Sequence, residues 1–326
     1  MTSALDQLPI DLGALGTDAA WRGDFAMAAA LIAETDAICE ATGSRSAPFA
    51  AMLLASLRGD QAEAVPLIEA TIAEATAGGQ GIAVAYAHWA ASILANGLGR
   101  YADALAAAQQ AAQDFPALYV GMWALPELIE AAVRTGNPRI AQDAIARLAE
   151  ATQAGGTDFG LGLEARSRAL VSEGETAESR YREAIDRLGR TQARPELARA
   201  HLLYGEWLRG EDRRRDARAE LRTAYDQFTT MGIEAFAERA RRELLATGDS
   251  VRKRTVLTGS ELTVQEAHIA RLAVDGRTNV EIGAQLFLST RTVEWHLGKV
   301  YGKLGVGSRR ELRQALASLE GQDPQA

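Results

Sequence analysis

Glycine residues recur at a nearly constant interval through the first two thirds of the sequence, each in a short polar turn between alanine-rich stretches. The residues are Gly23, Gly59, Gly99, Gly136, Gly174 and Gly210, spaced by 36, 40, 37, 38 and 36 positions. Glycine adopts the left-handed backbone conformation that ends many helices, so each turn is predicted to separate two helices. Helical hairpins at this interval are typical of a solenoid.

Residues 1–247 are predicted to be helical, since apolar positions recur at steps of three and four residues and no long stretch alternates as a strand would. The interval exceeds the roughly 34 residues of a tetratricopeptide repeat, and loops at 76–81 and 155–160 would absorb the difference. The sequence therefore predicts an all-α protein with a tetratricopeptide-like helical-repeat domain. The alternative is an irregular helical domain in which the glycine spacing is coincidental.

A solenoid of this kind usually has a concave surface that binds a peptide, a protein or a small effector. Four tryptophans lie in the predicted repeats, at Trp21, Trp89, Trp123 and Trp207. Tryptophan in an alanine-rich helix more often fills the space between helices than binds a ligand. We therefore predict a core role for these side chains.

Motifs for catalysis, cofactors and metals are missing from the sequence. It contains no GxxxxGK[ST] phosphate loop, no GxSxG elbow, no HExxH and no cysteine pair for zinc. We expect a protein that is not an enzyme and that has no cofactor and no metal.

Three features favour a cytoplasmic location. The single cysteine, Cys39, cannot form a disulfide within the chain, which fits a reducing compartment. The uncharged run 75–99 contains Gln80, His88 and Asn96, and it is predicted to form packing helices rather than a membrane span. The first residues also lack the pattern of a secretory signal.

Charge is divided unevenly along the chain. Residues 251–326 contain 11 Lys and Arg against 8 Asp and Glu, while the first 250 residues contain 24 against 35. The predicted domains are 1–247 for the repeats, 248–260 for a linker, 261–320 for a second domain and 321–326 for a tail. A basic end on an acidic body suggests that only the end meets nucleic-acid phosphates.

The second domain has consistent signals for helix starts. Three capping boxes are predicted, Thr263 with Glu266, Thr278 with Glu281 and Ser308 with Glu311, and Ser289 caps a further helix. The predicted helices are 264–275, 279–286, 290–304 and 309–319. The second and third are joined by a very short turn, as in a helix-turn-helix.

At about 100° per residue, the third helix has one core side and one outward side. The core side holds Val293, Leu297, Val300 and Leu304. Arg291, Glu294, Trp295, Gly298 and Gly302 face away, flanked by Thr292, Lys299 and Lys303. Trp295 on a polar side is unexpected for a merely solvated helix, so this side is predicted to face DNA.

Residues 262–312 resemble the LuxR-type C-terminal DNA-binding domain along their whole length. The matching residues are Leu262, Thr263, Glu266, Gly276, Asn279, Glu281, Ile282, Leu286, Ser289, Thr292, Val293, His296, Leu297, Lys303, Leu304, Gly305 and Ser308. Residues 198–244 resemble the segment that precedes this domain in large bacterial MalT-like regulators, which carry ATP-binding and helical-repeat domains. The ATP-binding module is not found in this sequence, which is either a short relative or the downstream part of a longer reading frame.

The resemblance implies a transcription regulator that binds double-stranded promoter DNA in the major groove, as a homodimer, and acts on the transcription machinery. Combined with the helix geometry, it predicts DNA contacts at Thr278, Asn279, Ser289, Arg291, Thr292, Glu294, Trp295, Gly298, Lys299, Lys303 and Arg309. The repeats would sense a small-molecule or protein effector. The alternative is a helical-repeat adaptor whose last domain mediates protein contacts, which the acid Glu294 favours.

Overall fold

A computed structural model describes residues 4–113, 119–248, 264–286, 288–304 and 306–320. Within these ranges the regular secondary structure is α-helical and no strand occurs, which confirms the predicted all-α class. None of the helices in the described ranges is long and apolar enough to cross a membrane.

The chain divides into two compact units, residues 1–250 and 251–326. We call them the N-terminal unit and the C-terminal unit. The predicted linker lies almost entirely outside the described residues, as does the tail at 321–326. The predicted boundaries at 247 and 261 therefore stay predictions.

The N-terminal unit contains thirteen helices in its described residues. They are α1 Ala4–Trp21, α2 Phe25–Thr42, α3 Phe49–Arg58, α4 Gln61–Ala77, α5 Gly81–Leu98, α6 Tyr101–Ala111, α7 Tyr119–Arg134, α8 Pro138–Gly155, α9 Asp158–Ala169, α10 Gly174–Gly189, α11 Arg194–Gly210, α12 Arg214–Met231 and α13 Glu234–Ala246. Helices that follow each other in sequence pack together. The loops predicted at 76–81 and 155–160 are shorter than expected, because α4 ends at Ala77 and α8 at Gly155.

The turn after α3 shows why glycine recurs. Gly59 has a φ of 80° and donates its N–H to the carbonyls of Ala55 and Ser56, and Asp60 then caps α4 by accepting from two backbone amides. A Cβ at Gly59 would lie 2.5 Å from the Cβ of Ala235. The turn therefore needs glycine for both its backbone angle and its close contact with α13.

Two predicted turn glycines have a different position from the one expected. Gly174 begins α10 instead of ending α9, because α9 already ends at Ala169. Gly210 is the last residue of α11, and the left-handed residue of that turn is Asp212, with a φ of 57°. Aspartate tolerates this conformation because its short polar side chain can form local hydrogen bonds.

The last helices of the N-terminal unit fold back onto the first half of the unit. Helix α13 packs against α3 and α5, and a Cβ at Gly97 would lie 2.9 Å from the ring of Phe236. Between α1 and α9, the rings of Trp21 and Phe159 have centroids 5.2 Å apart. Helix α13 is thus packed against α3 and α5, and side chains of α1 and α9 are in contact. The predicted concave binding surface stays a prediction.

Tryptophan side chains of the N-terminal unit pack against other aromatic rings. Trp21, Trp89 and Trp123 lie against one another, with ring centroids 5.3–5.7 Å apart. Trp89 is 3% exposed, and Trp207 packs against Tyr181 and Tyr204. Trp89 is therefore a core residue as predicted, whereas Trp21, Trp123 and Trp207 are partly exposed and pack against other aromatic rings.

A network of buried ion pairs joins α7, α11 and α13. Arg199 contacts Glu127 and Glu130, and Arg239 contacts Glu130 and Glu206, with nitrogen–oxygen distances of 2.6–2.7 Å. Arg199 also has a second, shorter contact with Glu127. All five side chains are at most 7% exposed. This network connects the middle of the unit to its last helix.

The C-terminal unit contains α14 Val264–Val274, α15 Asn279–Leu286, α16 Thr290–Leu304 and α17 Arg309–Glu320. The predicted helices differ from these by at most one residue at either end. The shared core consists of Ile269, Ala270, Ala273, Ile282, Val293, Leu297, Val300 and Leu312. The predicted core side of the third helix is confirmed, and its fourth member, Leu304, is half-buried.

Candidate nucleic-acid interface

The start of α15 is fixed by a reciprocal capping box. The amide of Glu281 donates to the hydroxyl of Thr278 at 3.2 Å, and the amide of Thr278 donates to the Glu281 carboxylate at 2.8 Å. These hydrogen bonds from the backbone and hydroxyl of Thr278 hold the pKa of Glu281 below its usual range. The predicted box is confirmed, and the first turn of α15 is anchored at the surface.

The other predicted caps differ in detail. Ser289 accepts from the amide of Thr292 at 3.1 Å, as expected. Ser308 accepts from the amide of Glu311 at 3.3 Å, but the Glu311 carboxylate bonds to the amide of Gly307 rather than to that of Ser308. Thr263 lies outside the described residues. Helices α15, α16 and α17 thus each begin at a side-chain cap.

A close backbone contact sets the turn between α15 and α16. The amide of Leu288 donates to the carbonyl of Gly283 at 2.8 Å. A Cβ on Gly283 would lie 2.5 Å from the carbonyl oxygen of Leu288, so only glycine allows this approach. Gly283 was not among the residues predicted to shape this turn. A glycine inside so short a helix was the signal available, because glycine there is otherwise unfavourable.

The outward side of α16 is exposed as predicted. Arg291, Glu294 and Gly298 are exposed, and 49% of the Trp295 surface is accessible. Thr292 and Lys299 are half-buried at the flanks. Gly302 and Lys303 belong to α16, but their side-chain surroundings lie outside what the structure describes. Helix α16 therefore presents a continuous face opposite its buried core.

Lys299 is held against this face by an aromatic contact. Its ammonium nitrogen lies 3.9 Å from the centroid of the Trp295 ring, within the range of a cation–π interaction. The two residues are four positions apart, so they lie on neighbouring turns of one helix face. Trp295 thus places a cation at the edge of the exposed surface.

Three of the predicted residues form a hydrogen-bonded chain between α15, α16 and the start of α17. The guanidinium of Arg309 donates to the side-chain oxygen of Asn279 and to the carbonyl of Arg277. The amide nitrogen of Asn279 lies 3.5 Å from a carboxylate oxygen of Glu294. Sequence spacing did not predict these hydrogen bonds, because the residues that they join are 15 to 32 positions apart.

The C-terminal unit also matches a known family. The model of bacterial regulatory proteins of the luxR family matches residues 260–316. This part of the chain is a LuxR-family domain. The resemblance in residues 262–312 is thereby confirmed.

Curated relatives match a limited part of this chain. A putative HTH-type transcriptional regulator of Mycobacterium bovis is 41% identical over 78 residues, which are 24% of this chain and 8% of that relative. A putative HTH-type transcriptional regulator of Mycobacterium tuberculosis has the same identity and coverage. The transcriptional regulatory protein LiaR of Bacillus subtilis is 38% identical over 55 residues, 17% of this chain and 26% of LiaR. No solved structure matches the chain significantly.

The LuxR-family domain brings several of the predicted residues into contact with one another. Asn279, Glu294 and Arg309 are linked, Trp295 contacts Lys299, and the hydroxyls of Ser289 and Thr292 lie 2.7 Å apart. Thr278, which caps α15, and Arg291, on α16, are exposed. The contact of each residue with DNA stays a prediction. Arg277, exposed directly before the cap of α15, was not among the predicted contacts.

Proposed function

We propose that the LuxR-family domain binds promoter DNA through the outward face of α16 and that the chain regulates transcription. The observation that carries this proposal is the exposed Trp295 face beside Arg291 and Lys299, opposite a core that fixes α16 against α15. A helix packed this way in a helix-turn-helix enters the major groove and contacts base edges. The mycobacterial relatives and LiaR are named as transcriptional regulators, which agrees with this role.

The proposal includes partners beyond DNA. One small domain makes few phosphate contacts, so a homodimer on a two-fold site would supply the affinity that a monomer lacks. We propose that the N-terminal unit senses a small-molecule or protein effector in the cytoplasm and couples it to the transcription machinery.

Binding to random-sequence duplex should weaken steeply as salt rises, because Lys and Arg displace counterions from the phosphates. Replacing Lys299 with alanine removes one cation, and the slope of log affinity against log salt should become shallower by roughly 1. Fluorescence anisotropy of a labelled duplex at several salt concentrations measures this slope. A slope near zero for the wild-type chain would contradict DNA binding.

Replacing Gly298 with lysine should increase DNA affinity at low salt. A Cβ at Gly298 meets no atom within 4 Å, so the new side chain fits on the exposed face of α16. The added cation should steepen the salt slope by roughly 1. Gly298→Gln is the matched control, since it also removes a helical glycine but adds no charge, and it should leave the slope unchanged. Equal slopes for the two variants would place this face away from the phosphates.

The second candidate function is an adaptor whose LuxR-family domain binds a protein. It is favoured by the acid Glu294 on the outward face and by the engagement of Arg309 with Asn279 and with the carbonyl of Arg277. An adaptor would bind duplex weakly and without salt dependence. The salt titration above separates the two functions.

A further inference from the structure

A single acid interrupts the outward face of α16 within its described residues. Glu294 is exposed between Arg291 and Gly298, next to Trp295. A carboxylate on a surface that faces DNA is repelled by the phosphates, so it weakens binding unless it finds a hydrogen-bond donor. The donors that a helix meets in the major groove are the exocyclic amines of cytosine and adenine.

The surroundings of Glu294 orient its carboxylate. The guanidinium of Arg309 has only donors, so the Asn279 side-chain atom that faces it must be the amide oxygen. The amide nitrogen of Asn279 is then directed at Glu294, where it lies 3.5 Å from Oε1. Arg309 is itself held by the carbonyl of Arg277. Asn279 therefore has one orientation, and it places the carboxylate beside the start of α15.

The contact with Asn279 leaves the carboxylate able to bind a base. A carboxylate accepts up to about four hydrogen bonds, and a contact at 3.5 Å is at the weak limit for one. The pair of oxygens can therefore accept from an amine in the groove without losing its orientation.

Cytosine is the better partner of the two bases. In adenine the N6 amine stands next to N7, an acceptor that repels a carboxylate, whereas cytosine presents N4 without an adjacent acceptor on the same base. We propose that Glu294 recognises the N4 amine of a cytosine in the major groove and that Asn279 is a positioning residue for this carboxylate. The inference rests on the proposed DNA binding.

Selection of duplexes from a random library by the full chain tests this inference. The wild-type chain should enrich a site with a strongly preferred G·C pair in each half-site. Glu294→Gln should lose this preference and shift it toward A·T, since glutamine pairs with N6 and N7 of adenine. Competition binding with the two sites should show the preference for cytosine falling by on the order of tenfold. Asn279→Ala should lower the same ratio without creating a preference for adenine.

Each outcome separates the inference from the proposed function. If the wild-type chain enriches no site and binds duplex without salt dependence, the proposed function fails. If it enriches a site but Glu294→Gln selects the same bases with the same preference, the proposed function stands and the role of Glu294 is wrong. Helical circular dichroism of the variants should match the wild type, because Glu294 is exposed.

Discussion

Replacing Arg239 with methionine should lower the free energy of unfolding of the N-terminal unit by about 3–5 kcal/mol. Arg239 is 3% exposed, and its guanidinium contacts Glu130 at 2.6 Å and Glu206 at 2.7 Å. Methionine fills a similar volume but leaves these carboxylates buried with fewer cations. Urea denaturation followed by tryptophan fluorescence measures the change, since four of the five tryptophans lie in this unit.

The charges around Arg239 explain the size of this effect. Burial alone would raise the pKa of Glu130, but the neighbouring Arg199 and Arg239 outweigh burial and hold that pKa well below its usual range. Glu130 is therefore ionised in the folded protein and depends on both arginines. Without Arg239, the Glu130 carboxylate keeps Arg199, while Glu206 keeps the half-buried Arg134.

Arg241→Met is the matched control. Arg241 lies on the same helix, α13, and pairs with Glu238 at 2.7 Å, but Glu238 is exposed. Exposed ion pairs contribute little to stability, so this variant should unfold at the same urea concentration as the wild type. If Arg239→Met is as stable as Arg241→Met, the buried network does not hold α13 against the rest of the N-terminal unit.

Local features of the N-terminal unit could be predicted from sequence, whereas the contacts that join its last helix, α13, to its earlier helices could not. Gly59 and Asp60 are adjacent, and the helix end and helix start that they form depend only on neighbouring backbone atoms. Arg239 and Glu130 are 109 residues apart, and isolated charges in an alanine-rich helix usually face solvent. Nothing local distinguishes Arg239 from Arg241, although one is buried and the other is paired at the surface.

In the LuxR-family domain, too, features set by neighbouring residues could be predicted, whereas contacts between distant residues could not. The angular positions of Val293 and Leu297 predict their burial, because a helix repeats its faces every 3.6 residues. The contact of Lys299 with Trp295 follows from a spacing of four residues and could have been predicted. The contact of Arg309 with Asn279 depends on how α17 starts beside α15, which periodicity does not determine.

Replacing Gly283 with alanine should abolish most DNA binding by the full chain, although alanine normally stabilises a helix by about 1 kcal/mol relative to glycine. The new Cβ would lie 2.5 Å from the carbonyl oxygen of Leu288, and a backbone atom cannot rotate away as a flexible side chain can. Overpacking of this kind costs about 1–3 kcal/mol, a large part of the stability of a domain of this size. Relief of the clash would move α16 relative to α15. Under the proposed function, duplex binding should fall by on the order of tenfold or more, since a displaced α16 would lose the base contacts proposed for it.

Gly298→Ala provides the comparison that isolates the backbone contact. Both glycines are helical, but a Cβ at Gly298 meets no protein atom within 4 Å, so alanine there should raise stability and should change duplex binding much less than Gly283→Ala does. Proteolysis of the full chain at rising temperature, with the fragments of residues 264–320 identified by mass spectrometry, reports on the unfolding of the LuxR-family domain alone. The pair of variants should therefore shift its melting temperature in opposite directions. If the Gly283→Ala variant has the same melting temperature as Gly298→Ala and binds duplex equally well, the turn between α15 and α16 tolerates a side chain. Glycine at 283 would then not be what holds the two helices at their spacing.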